Sequence, residues 1–137
     1  MIEGKRILVQ AWLTRSLHDL RSAQRLANDD EPILDTAVYH CQQAAEKAVK
    51  AFLVYHDTRF EKTHDIEPLV DAASSIEPSF SDWIASAQLL TPYATAFRYP
   101  GAFLEPAESE FESAFCTARD LYAFVLSLLP EDVHPDQ

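Results

Sequence analysis

The stretch HCQQAAEKAVKA, residues 40–51, decides the fold of this chain. It is rich in alanine, which favours a helix more than any other residue does. Apolar residues in and after it recur at alternating steps of four and three: Cys41, Ala45, Ala48, Phe52 and Tyr55. This period is typical of an amphipathic helix with one buried face. The sequence therefore predicts a long helix from near Ile33 to Tyr55.

The polar side chains of the same stretch form a second pattern. Helical spacing places Gln43, Lys47 and Lys50 near one line, and Glu46 stands one turn before Lys50, in the order that favours an ion pair. Two ammonium groups beside an amide could hold a phosphate or a carboxylate, with each lysine acting as a point charge. The alternative is a solvated helix face of ion pairs, which is common and contributes little stability.

Helical periodicity also extends to both sides of this stretch. A first amphipathic helix is predicted from Lys5 to about Ala27, followed by turn-forming residues and Pro32. A short third helix is expected to start with Thr63 or Asp65 as its cap and to end near Ala73. A long fifth helix is predicted over about 106–130, and the polar tail 131–137 is expected to be frayed.

A fourth helix is predicted over about 79–97. Ser79 with Asp82 resembles a capping box, and Pro92 predicts a kink or a restart capped by Thr91. The helix should end before Pro100, because a residue that precedes a proline disfavours helical geometry. Gly101 can then adopt a positive φ. No segment alternates with the period of a strand. The predicted fold is all-α: an antiparallel up-and-down bundle of four long helices and one short helix.

Composition limits the domain count and the classes of protein. The 137 residues suffice for one domain, 1–137, with a core over about 5–130. No apolar run approaches the length needed to cross a bilayer, and no leader segment or CxxC spacing is present, so a soluble protein of the reducing cytoplasm is expected. The only two glycines form no phosphate-binding loop, which argues against the common nucleotide-binding motifs, and no cofactor is predicted.

Charge is distributed unevenly along the chain. The formal net charge is −11, which disfavours broad binding to nucleic acid. Residues 1–27 nevertheless hold five basic and two acidic side chains, whereas residues 105–137 hold eight acidic and one basic. This asymmetry suits self-association or a basic partner, but two solvated helix faces are the favoured interpretation.

The landmarks of the sequence, taken together, resemble the HEPN family (higher eukaryotes and prokaryotes nucleotide-binding). They are Trp12-Leu13 with His18-Asp19-Leu20, the segment Gln42 to Ala51, Thr63-His64-Asp65-Ile66 and Arg98-Tyr99-Pro100, and they occur in family order over roughly residues 10–128. The resemblance implies a five-helix bundle that is usually a homodimer. It also implies nucleotide or RNA biology, often beside a separately encoded minimal nucleotidyltransferase in a two-component, toxin–antitoxin-like module.

Ribonuclease members of that family carry an arginine followed, after four to six residues, by a histidine near the end of the fourth helix. Arg98 matches the arginine, but Phe103, Leu104 and Glu105 occupy the positions downstream, and the next histidine is His134. The pair Arg59 and His64 has the right spacing but lies in the predicted second loop, so we interpret it as a coincidence. No catalytic residue is therefore assigned, and RNA cleavage is not expected.

His64 has three possible roles in this sequence. It can fix the loop before the third helix, act as a general base, or bind a metal together with Glu61. A di-iron bundle requires a second Glu-x-x-His motif, which is absent, so no metal site is predicted. Cys41 and Cys116 are expected to be small buried apolar residues.

The preferred hypothesis is a non-catalytic HEPN subunit that binds a nucleotide, an RNA segment or a nucleotidyltransferase partner. The candidate ligand-binding residues are Gln43, Lys47, Lys50, His64, Arg98 and Tyr99. Two alternatives remain: a degenerate ribonuclease that uses Arg98 with His64 or another base, and a structural module whose acidic fifth helix binds a basic protein.

Overall fold

Five α-helices make up most of the described chain. The computed structural model describes residues 1–100 and 105–136. The helices are α1 (Glu3–Ala27), α2 (Leu34–Tyr55), α3 (Ile66–Ser74), α4 (Ile84–Leu90) and α5 (Glu108–Leu128). No strand occurs in these residues, which confirms the all-α prediction of five helices. The positive φ expected at Gly101 falls outside the described residues.

Helix α2 is the centre of the bundle and packs against each of the other four helices. Its alanines Ala44, Ala45, Ala48 and Ala51 are fully buried. Small side chains let neighbouring helices approach closely, so the helix can be buried on nearly every side. A short connection after α1 places α1 antiparallel to α2 and contains a hydrogen bond from the Ile33 amide to the Leu26 carbonyl, 3.0 Å long.

The fourth helix is much shorter than the pattern predicts. A 3₁₀ helix, Pro78–Trp83, precedes α4, and another, Thr91–Ala94, follows it. Prolines stand at the start of both 3₁₀ segments and remove backbone donors there. The predicted capping roles are also wrong, since the Ser79 hydroxyl donates to Glu77 and the Thr91 hydroxyl accepts from the Ile66 amide, 3.1 Å away.

The prediction of a frayed tail is wrong for residues 131–134. Glu131–Val133 forms a 3₁₀ turn, and Val133 is fully buried. The His134 ring lies with Nε2 3.0 Å from the carbonyls of Leu126 and Leu129, so it satisfies acceptors left open at the end of α5. The side chain of Gln10 donates to the His134 carbonyl, which ties the segment to α1.

Candidate functional site

The unusual feature of α2 is a set of buried polar side chains among its alanines. Gln42, Gln43, Glu46 and Lys50 are each no more than 7% exposed. Burying polar groups is unfavourable unless each finds a hydrogen-bonding partner. Within the described residues every buried side-chain nitrogen or oxygen has a partner. These groups therefore form an ordered network rather than the solvated helix face of the alternative interpretation.

One part of the network, the Glu46 cluster, consists of Gln42, Gln43, Glu46, Lys50 and His64. The Lys50 ammonium lies 2.9 Å from Glu46, which confirms the predicted pair, and also donates to the Thr63 carbonyl at 3.2 Å. The Gln42 amide donates to Glu46 and to the His64 carbonyl, while Gln43 donates to Gln42. Three of the candidate residues thus lie together, in the contact between α2 and the loop before α3.

His64 links this cluster to solvent. Its Nδ1 atom lies 2.9 Å from Glu46 Oε1, and its side chain is 69% exposed. Because a carboxylate accepts hydrogen bonds, Nδ1 is the donor in this contact, and in the corresponding neutral tautomer Nε2 is an acceptor. An imidazole that a carboxylate orients in this way is able to accept a proton from a ligand.

A second part, the Asp19 cluster, consists of Asp19, His40 and Lys47. Asp19 accepts from the Lys47 ammonium at 2.6 Å and from His40 Nδ1 at 2.7 Å. Asp19 lies on the side of α1 that faces α2, close to Ser16, whose hydroxyl donates to the Ala44 carbonyl. The candidate ligand Lys47 is therefore already paired with a carboxylate, and its side chain is 24% exposed.

The third part, the Arg98 corner, consists of Tyr39, Arg98 and Tyr99. The guanidinium carbon of Arg98 lies 3.7 Å from the centroid of the Tyr39 ring, the geometry of a cation–π contact. Tyr99 is 76% exposed. Phe97, directly before Arg98, has φ of 64°, which is rare for a bulky residue and turns the chain at this point.

The Asp19 cluster and the Arg98 corner are continuous. His40 connects them, since its ring centroid lies 5.6 Å from that of Tyr39. A series of contacts therefore runs from Lys47 through Asp19, His40 and Tyr39 to Arg98. Lys50, Gln43 and His64 lie in the Glu46 cluster instead. The other three predicted residues, Lys47, Arg98 and Tyr99, belong to the Asp19 cluster and the Arg98 corner, so the six do not form one group.

The comparisons with known proteins identify the family. A family model for the HEPN domain matches residues 9–128. The chain belongs to the HEPN domain family. Two solved structures resemble it: TT1696 from Thermus thermophilus and ST0689, described as an archaeal HEPN homologue. The first is 28% identical, with a TM-score of 0.70 over 90% of this chain and 99% of that one. The second is 24% identical, with a TM-score of 0.68 over 88% and 96% of the two chains. No curated protein matches the chain.

The histidine that the ribonuclease members of the HEPN family carry is absent from positions 103–105 of this sequence. Phe103 and Leu104 lie outside the described residues, and Glu105 is exposed. The next histidine, His134, contacts the end of α5. Across residues 1–100 and 105–136, no group of three His, Cys, Asp or Glu side chains is placed to hold a metal ion. Within the same ranges, no helix combines the length and apolar character that crossing a bilayer requires.

Three residues that contact the predicted ones, Asp19, Tyr39 and His40, are not among the residues predicted to bind a ligand. A signal for Asp19 exists, because it lies beside the buried residues Ser16 and Leu20 of an amphipathic helix. An acidic residue on an inward face requires a partner. Tyr39 and His40 carry no comparable signal, since their role depends on where Arg98 and α1 lie in space.

Proposed function

We propose that this HEPN protein is a non-catalytic subunit that binds a nucleotide or an RNA segment at the Arg98 corner. The observation that carries the proposal is the Arg98 guanidinium stacked 3.7 Å above Tyr39, next to an exposed Tyr99. An arginine fixed on an aromatic ring offers donors to a phosphate, and an exposed tyrosine offers a face on which a base can stack.

The charge of the surrounding residues supports a small and local site. Lys47 and Lys50 are paired with Asp19 and Glu46, so they add little net positive charge. Among the described residues, Arg98 forms no ion pair. The single guanidinium of this corner, in a chain of net charge −11, fits a single phosphate or a short strand better than a long duplex, which requires an extended basic surface.

The role of the Glu46 cluster in this proposal is to hold the loop before α3. Glu46 and Gln42 bind His64 through its ring and its carbonyl, and Lys50 binds the neighbouring Thr63 carbonyl. The loop is thereby fixed to α2. In this arrangement His64 contributes to the shape of the binding surface rather than to bond cleavage.

Partners are proposed on the basis of family membership. We expect a cytoplasmic homodimer that associates with a minimal nucleotidyltransferase, as in two-component toxin–antitoxin-like modules. The uneven distribution of charge, basic in residues 1–27 and acidic in residues 105–137, is compatible with such association. Light scattering on the purified protein should give twice the 15.5 kDa mass of one chain. The mass of a monomer at every concentration tested would contradict the proposed dimer.

Titration with adenosine 5′-monophosphate and with a six-nucleotide RNA tests the binding function. We expect the Arg98→Ala variant to bind both ligands at least roughly tenfold more weakly, because a hydrogen-bonded charge contributes about 1.5–3 kcal/mol. Arg119→Ala is the matched control, since Arg119 is an exposed arginine on α5 paired with Asp120. Equal binding by wild type, Arg98→Ala and Arg119→Ala would exclude the Arg98 corner as the site.

A degenerate ribonuclease is the second candidate, and the exposed imidazole of His64 on Glu46 favours it. Such an enzyme would use His64 to take the proton of a ribose 2′-hydroxyl, and Arg98 to stabilise charge on the phosphate. Incubation of the protein with structured RNA and a chelator decides between the two functions. Cleavage that persists with chelator and is lost in both His64→Ala and Arg98→Ala would establish the enzyme and contradict the non-catalytic proposal.

A further inference from the structure

The exposed side of α1 carries an apolar pocket beside the proposed site. Its walls are formed by Leu8, Ala11, Trp12, Arg15 and Lys47, and it is an open pocket of about 280 Å³, which we call the Trp12 pocket. Leu8 is 49% exposed, and Trp12 is half-buried. The pocket therefore combines an apolar wall and an indole with the Arg15 guanidinium and the Lys47 ammonium, of which the latter is already paired with Asp19.

This combination is the chemistry that recognises a nucleobase and its phosphate. An aromatic side chain can stack with any base, and neighbouring cations contact the backbone of a strand. Arg15 is exposed and forms no ion pair within the described ranges. The Lys47 ammonium uses one donor on Asp19 and has others available, since an ammonium group carries three.

Lys47 links the Trp12 pocket to the Arg98 corner, and we call the surface between them the groove. Lys47 belongs to the pocket and also begins the series of contacts that ends at Arg98. Tyr39 and Lys47 are eight residues apart on α2, which corresponds to about 12 Å along the helix axis. This axial spacing exceeds the separation of neighbouring phosphates on one strand, so it fits two positions on a strand better than one nucleotide.

We propose that the Trp12 pocket is a second base-binding position, and that the ligand of the groove is a single-stranded oligonucleotide rather than a free nucleotide. One base packs on the part of Trp12 that lines the pocket, with its phosphate at Arg15 and Lys47, and the strand continues over His40 to Arg98. The buried Lys50 ammonium already lies over the Trp12 ring, 5.6 Å from its centroid, so only one face of the indole is used by the base. This inference rests on the proposed function and extends it to residues 8–15 of α1.

Binding measured by fluorescence anisotropy with strands of two to eight adenylates, as RNA and as DNA, tests the inference. We expect the six-nucleotide strand to bind at least tenfold more tightly than adenosine 5′-monophosphate. Trp12→Leu should weaken binding of this strand roughly tenfold, as expected for one lost base stack, without changing the affinity for the mononucleotide at Arg98. Circular dichroism of Trp12→Leu checks that the bundle is intact.

Two exposed variants keep the test independent of folding. Arg15→Ala should weaken binding of the six-nucleotide strand and reduce the slope of its salt dependence by about 0.7, the value for one phosphate contact on a single strand. Leu8→Asp should weaken the same binding by placing a carboxylate beside the phosphate. Arg119→Ala is the control and should bind like the wild type.

The outcomes separate this inference from the proposed function. Oligonucleotide binding that depends on Arg98 but is unchanged in Trp12→Leu, Arg15→Ala and Leu8→Asp would overturn the second position and leave the Arg98 site standing. A six-nucleotide strand that binds no more tightly than the mononucleotide would do the same. Absence of binding by both ligands would overturn the proposed function as well.

Discussion

The ammonium group of Lys50 lies 2.9 Å from the carboxylate of Glu46 one helical turn earlier, and both side chains are almost completely buried. Replacing Glu46 by alanine should lower the free energy of unfolding by about 3–5 kcal/mol, because Lys50 would remain as an uncompensated buried charge. Its remaining partners would be the Thr63 carbonyl and the faces of Trp12 and Phe60. Urea unfolding followed by circular dichroism measures the change.

A double variant distinguishes a lost charge partner from lost packing. Glu46→Leu combined with Lys50→Met removes both charges and keeps apolar volume, so its stability should be close to that of the wild type or higher. Glu112→Ala, at an exposed position on α5, is the control for the single change. A loss below about 1 kcal/mol in Glu46→Ala would mean that the pair contributes no more than a surface ion pair.

The sequence predicts the parts of the fold that depend on local periodicity. Residues 34–55 carry an uninterrupted helical pattern, and the observed α2 differs from the prediction by one residue at its start. Asp65 is predicted as a possible cap, and its carboxylate accepts from the Glu67 amide at the start of α3. These features depend on residues within one or two turns of each other, which is the range over which sequence patterns are informative.

Features that depend on distant contacts are not predictable in the same way. The segment Pro78–Ala94 has helical spacing, but its prolines and its packing on α3 favour short 3₁₀ turns around a single α-helix of seven residues. The tail is polar in sequence, yet Val133 is buried and His134 satisfies carbonyls of α5. In the site, the Glu46–Lys50 pair is local and predictable, whereas the Arg98–Tyr39 contact joins residues far apart in the chain.

The two cysteines should differ strongly in reactivity. Cys116 is exposed, contrary to the expectation from its helical pattern, whereas Cys41 is buried. Burial, with a smaller contribution from the nearby Asp19 carboxylate, raises the pKa of the Cys41 thiol to about 12. The thiolate is the reactive form, so a disulfide reagent at pH 8 should modify one thiol per chain rapidly. Cys116→Ser should abolish this fast phase, and denaturant should expose the second thiol. Rapid modification of Cys41 in the folded Cys116→Ser variant would contradict the burial.

The segment after α5 should contribute to stability. Val133 is fully buried, so Val133→Ala should lower the free energy of unfolding by about 1–2 kcal/mol, the cost of removing two buried carbon atoms. Deleting residues 131–137 should cost more, because it also removes the hydrogen bonds of Arg6 to the Asp132 carbonyl and of Gln10 to the His134 carbonyl. Asp136→Ala, at an exposed position, is the control. A deletion variant with the unfolding midpoint of the wild type would show that the segment adds nothing.

Asp19→Asn should change stability and ligand binding in opposite directions. The carboxylate of Asp19 accepts from Lys47 at 2.6 Å and from His40 at 2.7 Å, and an asparagine oxygen can replace only part of these contacts. The free energy of unfolding should fall by about 1–3 kcal/mol. The groove, however, loses one negative charge beside Lys47, so binding of a six-nucleotide strand should become up to about fivefold tighter. This change in affinity is equivalent to about 1 kcal/mol for one partly exposed charge. Unfolding experiments and anisotropy titrations at two salt concentrations measure the two effects, with Asp120→Asn on α5 as the control. Weaker oligonucleotide binding by a folded Asp19→Asn variant would mean that Asp19 positions Lys47 and His40 for the ligand, rather than opposing the charge of the strand.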